Sequence, residues 1–175
     1  MAIKIIFLDR DGVINKDIGY LHKIEECKFI KGIFEACRYF NFLGYQIVIV
    51  TNQSGISRGY FTYKDFQIIT NWMVEQFEKN SINILEVFYC PHSPKSNCNC
   101  RKPKPGMLLS AKSKYNVDME KSWMIGDSEC DIRAANLAGI NKTIMIQNGR
   151  DINKSNSTAA FFLDSISQAR QVIKN

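Results

Sequence analysis

The sequence lacks several features that would place it in a specialised class of protein. None of its apolar runs is long enough to cross a membrane, and its amino-terminal residues do not have the pattern of a secretory signal. It contains no internal repeat, no low-complexity tract and no linker between domains. We therefore expect a cytoplasmic protein with a single domain over residues 1–175, a length that provides a proper hydrophobic core.

A concentrated basic surface is also absent. The net charge is +6, from 23 basic and 17 acidic residues, but no dense stripe of lysine and arginine is interleaved with aromatic residues. A basic surface that attracts a small, multiply anionic molecule explains the charge as well as a nucleic acid does. We therefore expect a small anionic partner rather than a nucleic acid or a membrane, and we expect a monomer.

The six cysteines do not form a pattern of disulfide pairs. Cys27, Cys37 and Cys130 are scattered, which is typical of reduced and mostly buried thiols. The other three cluster with His92 as CxH, five residues, then CxC. Four such ligands suit a tetrahedral zinc ion with no open position, hence a structural one, although an accidental cluster of thiols is the alternative. The predicted zinc ligands are Cys90, His92, Cys98 and Cys100.

Apolar strand-like runs alternate with helical patterns along the chain. The predicted strands are Ile3–Leu8, Tyr45–Val50, Ile84–Tyr89, Trp123–Ile125, Thr143–Ile146 and Phe161–Leu163. The predicted helices are Ile33–Leu43, one capped by Thr62, one from Pro105 to about Tyr115, one from about Cys130 to Gly139, and a last one capped by Asp164. This alternation predicts a parallel sheet with helices on both faces, and right-handed crossovers then place all strand ends on one edge.

An acidic pair follows the first predicted strand directly, in the segment Asp9-Arg10-Asp11-Gly12. Both aspartates can face the crevice beyond the strand ends, where such sheets bind ligands, while Arg10 points away. One carboxylate can attack as a nucleophile and its neighbour can move a proton. Alone the pair is weak evidence, because acidic residues after a strand often form only a turn.

Three further motifs follow later strands. Thr51–Gly55 offers a hydroxyl and backbone N–H groups that can hold phosphate oxygens, although such residues are also common in plain turns. Arg101–Gly106 brings an arginine and a lysine to the start of a helix, where anions bind well, although most basic loops are simply solvated. Asp127 can complete a magnesium site with Asp9 and the backbone carbonyl of Asp11. Asp131 could be an outer-shell partner of this site or an acid that favours the helix start, and we expect the second role.

In this order the acidic pair, the strand-end threonine, the lysine and the GDxxxD segment resemble the haloacid dehalogenase superfamily of phosphohydrolases. The resemblance implies that Asp9 is the nucleophile and Asp11 the general acid and base. It implies that Thr51 and Lys102 stabilise the phosphoryl group. It also implies that Asp9, Asp11 and Asp127 bind magnesium.

The intervals between the motifs indicate the architecture around the site. Asp9 and Thr51 are 42 residues apart, and Thr51 and Lys102 are 51 apart, so the predicted elements already fill both intervals. Neither leaves room for the folded cap that many members of the superfamily carry. The expected fold is therefore α/β, Rossmann-like and of haloacid dehalogenase type, without a cap and with a zinc-binding loop.

Three segments, FLDRDGVINKDIGY, TNQSGISRGYFT and CRKPKPGM, resemble the D-glycero-D-manno-heptose 1,7-bisphosphate 7-phosphatase family. Such enzymes remove one phosphate on the way to ADP- or GDP-activated heptose for lipopolysaccharide precursors. The resemblance implies a substrate pocket formed by Asp17, Ile18, Gly19, Tyr20, Thr51, Asn52, Gln53, Ser54, Arg101, Lys102 and Ser128.

One departure keeps alternatives open. The five-residue spacer between the two zinc half-sites is nearer to the short loop of the related histidinol-phosphate phosphatases. A phosphatase acting on nucleic-acid ends is a further possibility, favoured by the positive charge. A non-catalytic binding module would require one of the catalytic residues to be missing, and all of them are present: Asp9, Asp11, Lys102 and Asp127.

Overall fold

The computed structural model of the chain describes residues 2–152 and 154–174. Its strands are β1 (Ile5–Leu8), β2 (Gln46–Asn52), β3 (Ile84–Cys90), β4 (Trp123–Gly126), β5 (Lys142–Ile146) and β6 (Phe161–Leu163). Its α-helices are α1 (Ile33–Phe42), α2 (Tyr63–Lys79), α3 (Gly106–Tyr115), α4 (Glu129–Leu137) and α5 (Ala169–Val172). Each predicted strand is present, with bounds that differ by at most two residues at either end.

The six strands form one sheet in the order β3-β2-β1-β4-β5-β6, and every neighbouring pair is parallel. This confirms the predicted α/β class. The central strand β1 is buried on both faces, because Ile6 and Leu8 belong to one core cluster while Ile5 and Phe7 belong to the other. Side chains of α1, α2 and α5 cover the first face, and those of α3 and α4 cover the second.

Of the two helix N-caps that the sequence predicted at Thr62 and Asp164, the structure confirms one. The Thr62 hydroxyl accepts the backbone N–H of Asp65, whose carboxylate accepts the N–H of Thr62, so the predicted cap of α2 is confirmed. The predicted cap at Asp164 is wrong. A short 3₁₀ turn (Ile166–Gln168) precedes α5, and the hydroxyl of Ser165 caps that turn by accepting the backbone N–H of Ser167. Asp164 lies one residue earlier, where its own backbone N–H donates to the side chain of Gln168.

The segments that surround the carboxyl edge of the sheet are short. Residues 9–32 contain only turns, isolated bridges and a 3₁₀ helix at Ile24–Glu26, with no inserted layer over the edge. No helix in the described ranges is both long and apolar enough to span a bilayer. The edge where β1, β2 and β4 end therefore opens directly to the surface.

Candidate active site

The sequence motifs meet at the carboxyl ends of three neighbouring strands. Asp9 follows β1 directly, Thr51 lies near the end of β2, and Asp127 follows β4. Because β2, β1 and β4 are adjacent and parallel, these ends lie side by side. Lys102, in the loop before α3, reaches the same point: its Nζ lies 2.8 Å from Oδ1 of Asp9.

Lys102 has a second carboxylate partner, which is Asp131. Its Nζ lies 2.6 Å from Oδ1 of Asp131 and also donates to the backbone oxygen of Val50 at 2.7 Å. The other oxygen of Asp131 accepts the backbone N–H and the hydroxyl of Ser128 at the start of α4. The helix-start role expected for Asp131 is thus present, but its contact with Lys102 was missed, and the one-turn spacing from Asp127 in GDxxxD was the available signal.

The charges in this cluster shift the ionisation of its members. Burial, followed by the negative charge of Asp131, raises the pKa of Asp9 to about 8, although Lys102 acts in the opposite direction. Burial alone would lower the pKa of Lys102. The charges of Asp131 and Asp9 outweigh burial, so its pKa is raised and the ammonium keeps its proton. A further cation at this point would favour the ionised form of Asp9.

Asp11 occupies a different environment, in which neutral and cationic donors surround the carboxylate. Arg10 binds both of its oxygens, with Nη2 at 3.0 and 2.9 Å. Asn15 donates to Oδ1 at 3.0 Å and Gln53 donates to Oδ2 at 3.2 Å. The prediction that Arg10 merely points away was wrong, because its guanidinium is buried against Asp11.

Asp9 and Asp127 form a set of hard oxygen donors that fits magnesium. One oxygen from each, together with one from Asp131, lies within 4.8 Å of the others. Gly12 permits the approach of Asp127, since a Cβ on Gly12 would lie 2.1 Å from Oδ2 of Asp127. Burial raises the pKa of Asp127 to about 6, with Asp131 adding to the effect. The part predicted for the Asp11 carbonyl stays a prediction.

A residue that the sequence reasoning missed lies beside Asp127. Nη2 of Arg150 is 3.0 Å from Oδ2 and 2.7 Å from the backbone oxygen of Asp127. Nearby, the side chain of Asn148 donates to the backbone oxygen of Gly12. No motif in the sequence signalled these contacts of Asn148 and Arg150.

The predicted substrate residues lie around this cluster. A cavity of about 260 Å³ is lined by residues of two loops, namely Asp17, Gly19, Tyr20, Asn52, Gln53, Ser54 and Gly55. Gln53 also donates to the hydroxyl of Thr51 at 2.8 Å, which connects the cavity to one of the predicted catalytic residues. Ile18 is more than half exposed on the same loop. The hydroxyl of Ser128 donates to the carboxylate of Asp131. The guanidinium of Arg101 donates to the backbone oxygen of His92, in the loop of the predicted zinc ligands.

The four predicted zinc ligands converge. The sulfur of Cys90 lies 3.2 Å from that of Cys100 and 3.7 Å from that of Cys98, and Nδ1 of His92 lies 3.3 Å from the sulfur of Cys100. Zn–S bonds of about 2.3 Å in a tetrahedron place sulfurs about 3.8 Å apart, so this donor set fits zinc. The loop is also joined to the active site, because Asn52 exchanges two hydrogen bonds with the backbone of Lys102.

Comparisons with known proteins agree with this geometry. A family model described as HAD-hydrolase-like matches residues 99–169. A Vibrio cholerae protein named D-glycero-beta-D-manno-heptose-1,7-bisphosphate 7-phosphatase is 44% identical over 174 residues, covering 95% of this chain and 94% of the relative. A Photorhabdus laumondii protein with the corresponding alpha-anomer name is 40% identical over 164 residues, covering 90% of each.

A solved structure extends the likeness to three dimensions. The crystal structure of D,D-heptose 1,7-bisphosphate phosphatase from B. bronchiseptica, complexed with magnesium and phosphate, has a TM-score of 0.88 against this chain. The two are 31% identical, and the match covers 97% of this chain and 98% of that one. The fold is therefore the one implied by the sequence motifs.

These observations define a phosphoric monoester hydrolase of the haloacid dehalogenase superfamily. Relatives of about 40% identity cover almost the whole chain and share one name apart from the anomer. The chain belongs to the D-glycero-D-manno-heptose 1,7-bisphosphate 7-phosphatase family.

Proposed function

We propose that this enzyme removes the 7-phosphate of D-glycero-D-manno-heptose 1,7-bisphosphate through an aspartyl-phosphate on Asp9. The observation that carries the proposal is the meeting of Asp9, Lys102 and Asp127 at one open edge, with Asp11 two residues after Asp9, beside a cavity lined by residues of the loops 17–20 and 52–55. The resemblance of those loops to the heptose phosphatases supports the choice of substrate.

In the first step a carboxylate oxygen of Asp9 attacks phosphorus, and the bond from phosphorus to the sugar oxygen breaks. Asp11 gives a proton to the departing oxygen, so the product leaves as an alcohol. In the second step Asp11 removes a proton from water, which attacks the phosphorus of the acyl phosphate. This releases inorganic phosphate and restores the Asp9 carboxylate.

Attack of one anion on another requires positive charge at the site. Lys102 supplies a buried ammonium in direct contact with Asp9. The hydroxyl of Thr51, which accepts a hydrogen bond from Gln53, would be a second group that stabilises the phosphoryl oxygens. Magnesium, held by Asp9 and Asp127 with the Asp11 carbonyl, would supply electrophilic stabilisation of the phosphoryl oxygens. Zinc, held by Cys90, His92, Cys98 and Cys100, would be structural and would fix the loop that carries Arg101 and Lys102.

The test is phosphate release by the purified protein with magnesium, compared by catalytic efficiency. The panel is the α and β anomers of heptose 1,7-bisphosphate, histidinol phosphate and a 5′-phosphorylated oligonucleotide. We expect one heptose anomer to exceed the other two classes by orders of magnitude. Relatives are named for both anomers, so the panel also decides which one this chain prefers.

Each alternative result has a definite meaning. If histidinol phosphate were the best substrate, the chemistry would stand and the short zinc spacer would be the better guide to specificity. If the oligonucleotide were the best substrate, the net charge of +6 would be explained by a nucleic-acid substrate rather than by a small sugar phosphate. Asp9→Asn is the control in all cases, because it must remove turnover on every substrate.

The wider setting of the reaction remains part of the proposal. We infer that the product enters the synthesis of ADP- or GDP-heptose for lipopolysaccharide precursors, in the cytoplasm. The expected monomer and the single domain over residues 1–175 are predictions from the sequence. Size-exclusion chromatography with light scattering measures the oligomeric state, and limited proteolysis measures the number of independently folding units.

A further inference from the structure

Arg10 lies between the two catalytic aspartates in sequence, yet it binds only one of their side chains. Its side chain is 3% exposed, and Nε and Nη2 both approach the carboxylate of Asp11, at 2.9 to 3.3 Å. Nη2 also donates to the backbone oxygen of Leu21 at 3.2 Å. Each of these nitrogens is nearly equidistant from both oxygens, so the buried guanidinium is shared between them and restricts the position of the carboxylate with two nitrogens, where a lysine would offer one.

The contact with Leu21 gives Arg10 a second function. Leu21 is buried and directly follows Asp17, Gly19 and Tyr20, which line the substrate cavity. We call residues 17–20 the substrate loop. One guanidinium therefore joins the carboxylate of Asp11 to Leu21, at the end of this loop. A displacement of that loop would move Arg10, and with it the orientation of Asp11.

Two amides complete the support of the same carboxylate. Asn15 bonds Oδ1 of Asp11 and the backbone oxygen of Lys16, while Gln53 bonds Oδ2 of Asp11 and the hydroxyl of Thr51. Asp11 is thus oriented by donors from both sides. Among these donors Arg10 is the one that binds both of its oxygens, so its loss should disturb the orientation most.

We propose that Arg10 is a positioning residue that holds Asp11 in line with the leaving oxygen and couples that alignment to the substrate loop. The inference rests on the proposed function, in which Asp11 transfers the proton. It assigns a role to Arg10 beyond separating the two aspartates.

The leaving group provides a test that distinguishes this role from a general structural one. A sugar alkoxide is a poor leaving group and needs a proton from Asp11, whereas p-nitrophenolate leaves without one. A residue that acts through the general acid should therefore matter more for an alkyl phosphate than for p-nitrophenyl phosphate. A residue that only supports the fold should affect both substrates equally.

The experiment measures kcat and KM of Arg10→Gln on heptose 1,7-bisphosphate and on p-nitrophenyl phosphate, with magnesium. General acid catalysis contributes roughly 10²- to 10⁴-fold, so we expect kcat/KM on the sugar phosphate to fall about a hundredfold. The fall in kcat/KM on p-nitrophenyl phosphate should be at least about tenfold smaller, because this parameter reports the phosphoryl transfer to Asp9, in which p-nitrophenolate needs no proton, whereas kcat also contains the hydrolysis step common to both substrates. Equal losses on both substrates, or no loss, would overturn the proposal.

A double-variant cycle gives an independent readout. If Arg10 acts through Asp11, then adding Arg10→Gln to Asp11→Asn should cause little further loss on the sugar phosphate. Additive losses would contradict the proposal. Arg38→Gln is the matched control, because Arg38 is an exposed arginine on α1 whose contacts are with Asn80 and with Glu35 one turn away, and neither belongs to the site.

The folded state of the variant is checked by circular dichroism and thermal melting. If Arg10→Gln does not give folded protein, Arg10→Lys replaces it in the same experiments, since one ammonium does not bridge both Asp11 oxygens and Leu21. Failure of the proposed function would appear as weak heptose turnover by the unchanged enzyme. In that case any alkyl phosphate that the enzyme accepts replaces the heptose bisphosphate. The loss on that alkyl phosphate, relative to the loss on p-nitrophenyl phosphate, still tests Arg10.

Discussion

Asp131 and Lys102 form a buried ion pair, with Oδ1 and Nζ 2.6 Å apart and side-chain exposures of 1% and 2%. The same ammonium also contacts Asp9 at 2.8 Å, so one cation lies between two carboxylates. Asp131, in the first turn of α4, thereby helps to fix the position of the Lys102 ammonium beside Asp9. A buried charge of this kind is costly without its partners.

Removing Asp131 should therefore weaken both stability and catalysis. Asp131→Ala removes one partner of Lys102 and the acceptor for Ser128, and we expect it to lower the free energy of unfolding by roughly 2–4 kcal/mol. Urea unfolding measures the change. Asp118→Ala is the matched control, because its pair with the exposed Lys121 should contribute less than about 1 kcal/mol. Equal losses in the two variants would contradict the account.

Gly12 should be intolerant of any side chain. It has φ of +82°, and a Cβ would lie 2.1 Å from Oδ2 of Asp127. Gly12→Ala should thus displace Asp127 and weaken magnesium binding, measured by isothermal titration calorimetry. Gly139→Ala is the control, because Gly139 also has a positive φ, of +90°, but its nearest contact would be 3.9 Å away. Unchanged magnesium affinity in Gly12→Ala would show that Asp127 is not a ligand.

The zinc loop should be required for the position of Lys102. Cys100→Ser should remove zinc, measured by inductively coupled plasma mass spectrometry. It should reduce kcat/KM roughly ten- to a hundredfold, as loss of supporting groups commonly does at metal sites. The reduction should not be complete, since Asn52 also holds the backbone of Lys102. Cys130→Ser, outside the cluster, should keep both zinc and activity. A zinc-free Cys100→Ser protein with full activity would refute the structural role.

The raised pKa of Asp9, about 8, predicts a pH-dependent stability of the metal-free protein. An unfolded aspartate titrates near about 4, so between about pH 4 and 8 the folded state binds more protons than the unfolded state. Its contribution to stability is therefore lost as pH rises through this window. In chelator, the Tm of Asp9→Asn relative to the unchanged protein should increase from pH 5 to pH 8. A constant or decreasing difference would show that Asp9 is not buried in this electrostatic environment.

Much of the fold could be predicted from the sequence because its signals are local. The apolar run before Asp9 and the β-branched run before Thr51 each specify a buried strand. The order of motifs then placed Asp9, Thr51, Lys102 and Asp127 on one edge, as the structure shows. The terminal cap was less well specified, since Asp164 and Ser165 are adjacent and both are good capping residues, and the structure uses Ser165.

The contacts that could not be predicted depend on long-range packing. Arg150 reaches Asp127 from a loop after β5, and nothing in its neighbouring residues indicates that contact. Arg10 was expected to point away from the crevice, and no motif indicated that its guanidinium would bind the neighbouring Asp11. The turn after β1 instead buries its guanidinium against Asp11.

The most direct test of the account is to trap the covalent intermediate. Asp11→Asn lacks the base that activates water, so with p-nitrophenyl phosphate it should accumulate phosphate on Asp9. Acid quench, borohydride reduction of the acyl phosphate and peptide mass spectrometry locate the modified residue. We predict conversion of Asp9 to homoserine, and none in Asp9→Asn. Modification of another residue, or turnover by Asp9→Asn, would contradict the assignment of Asp9 as the nucleophile.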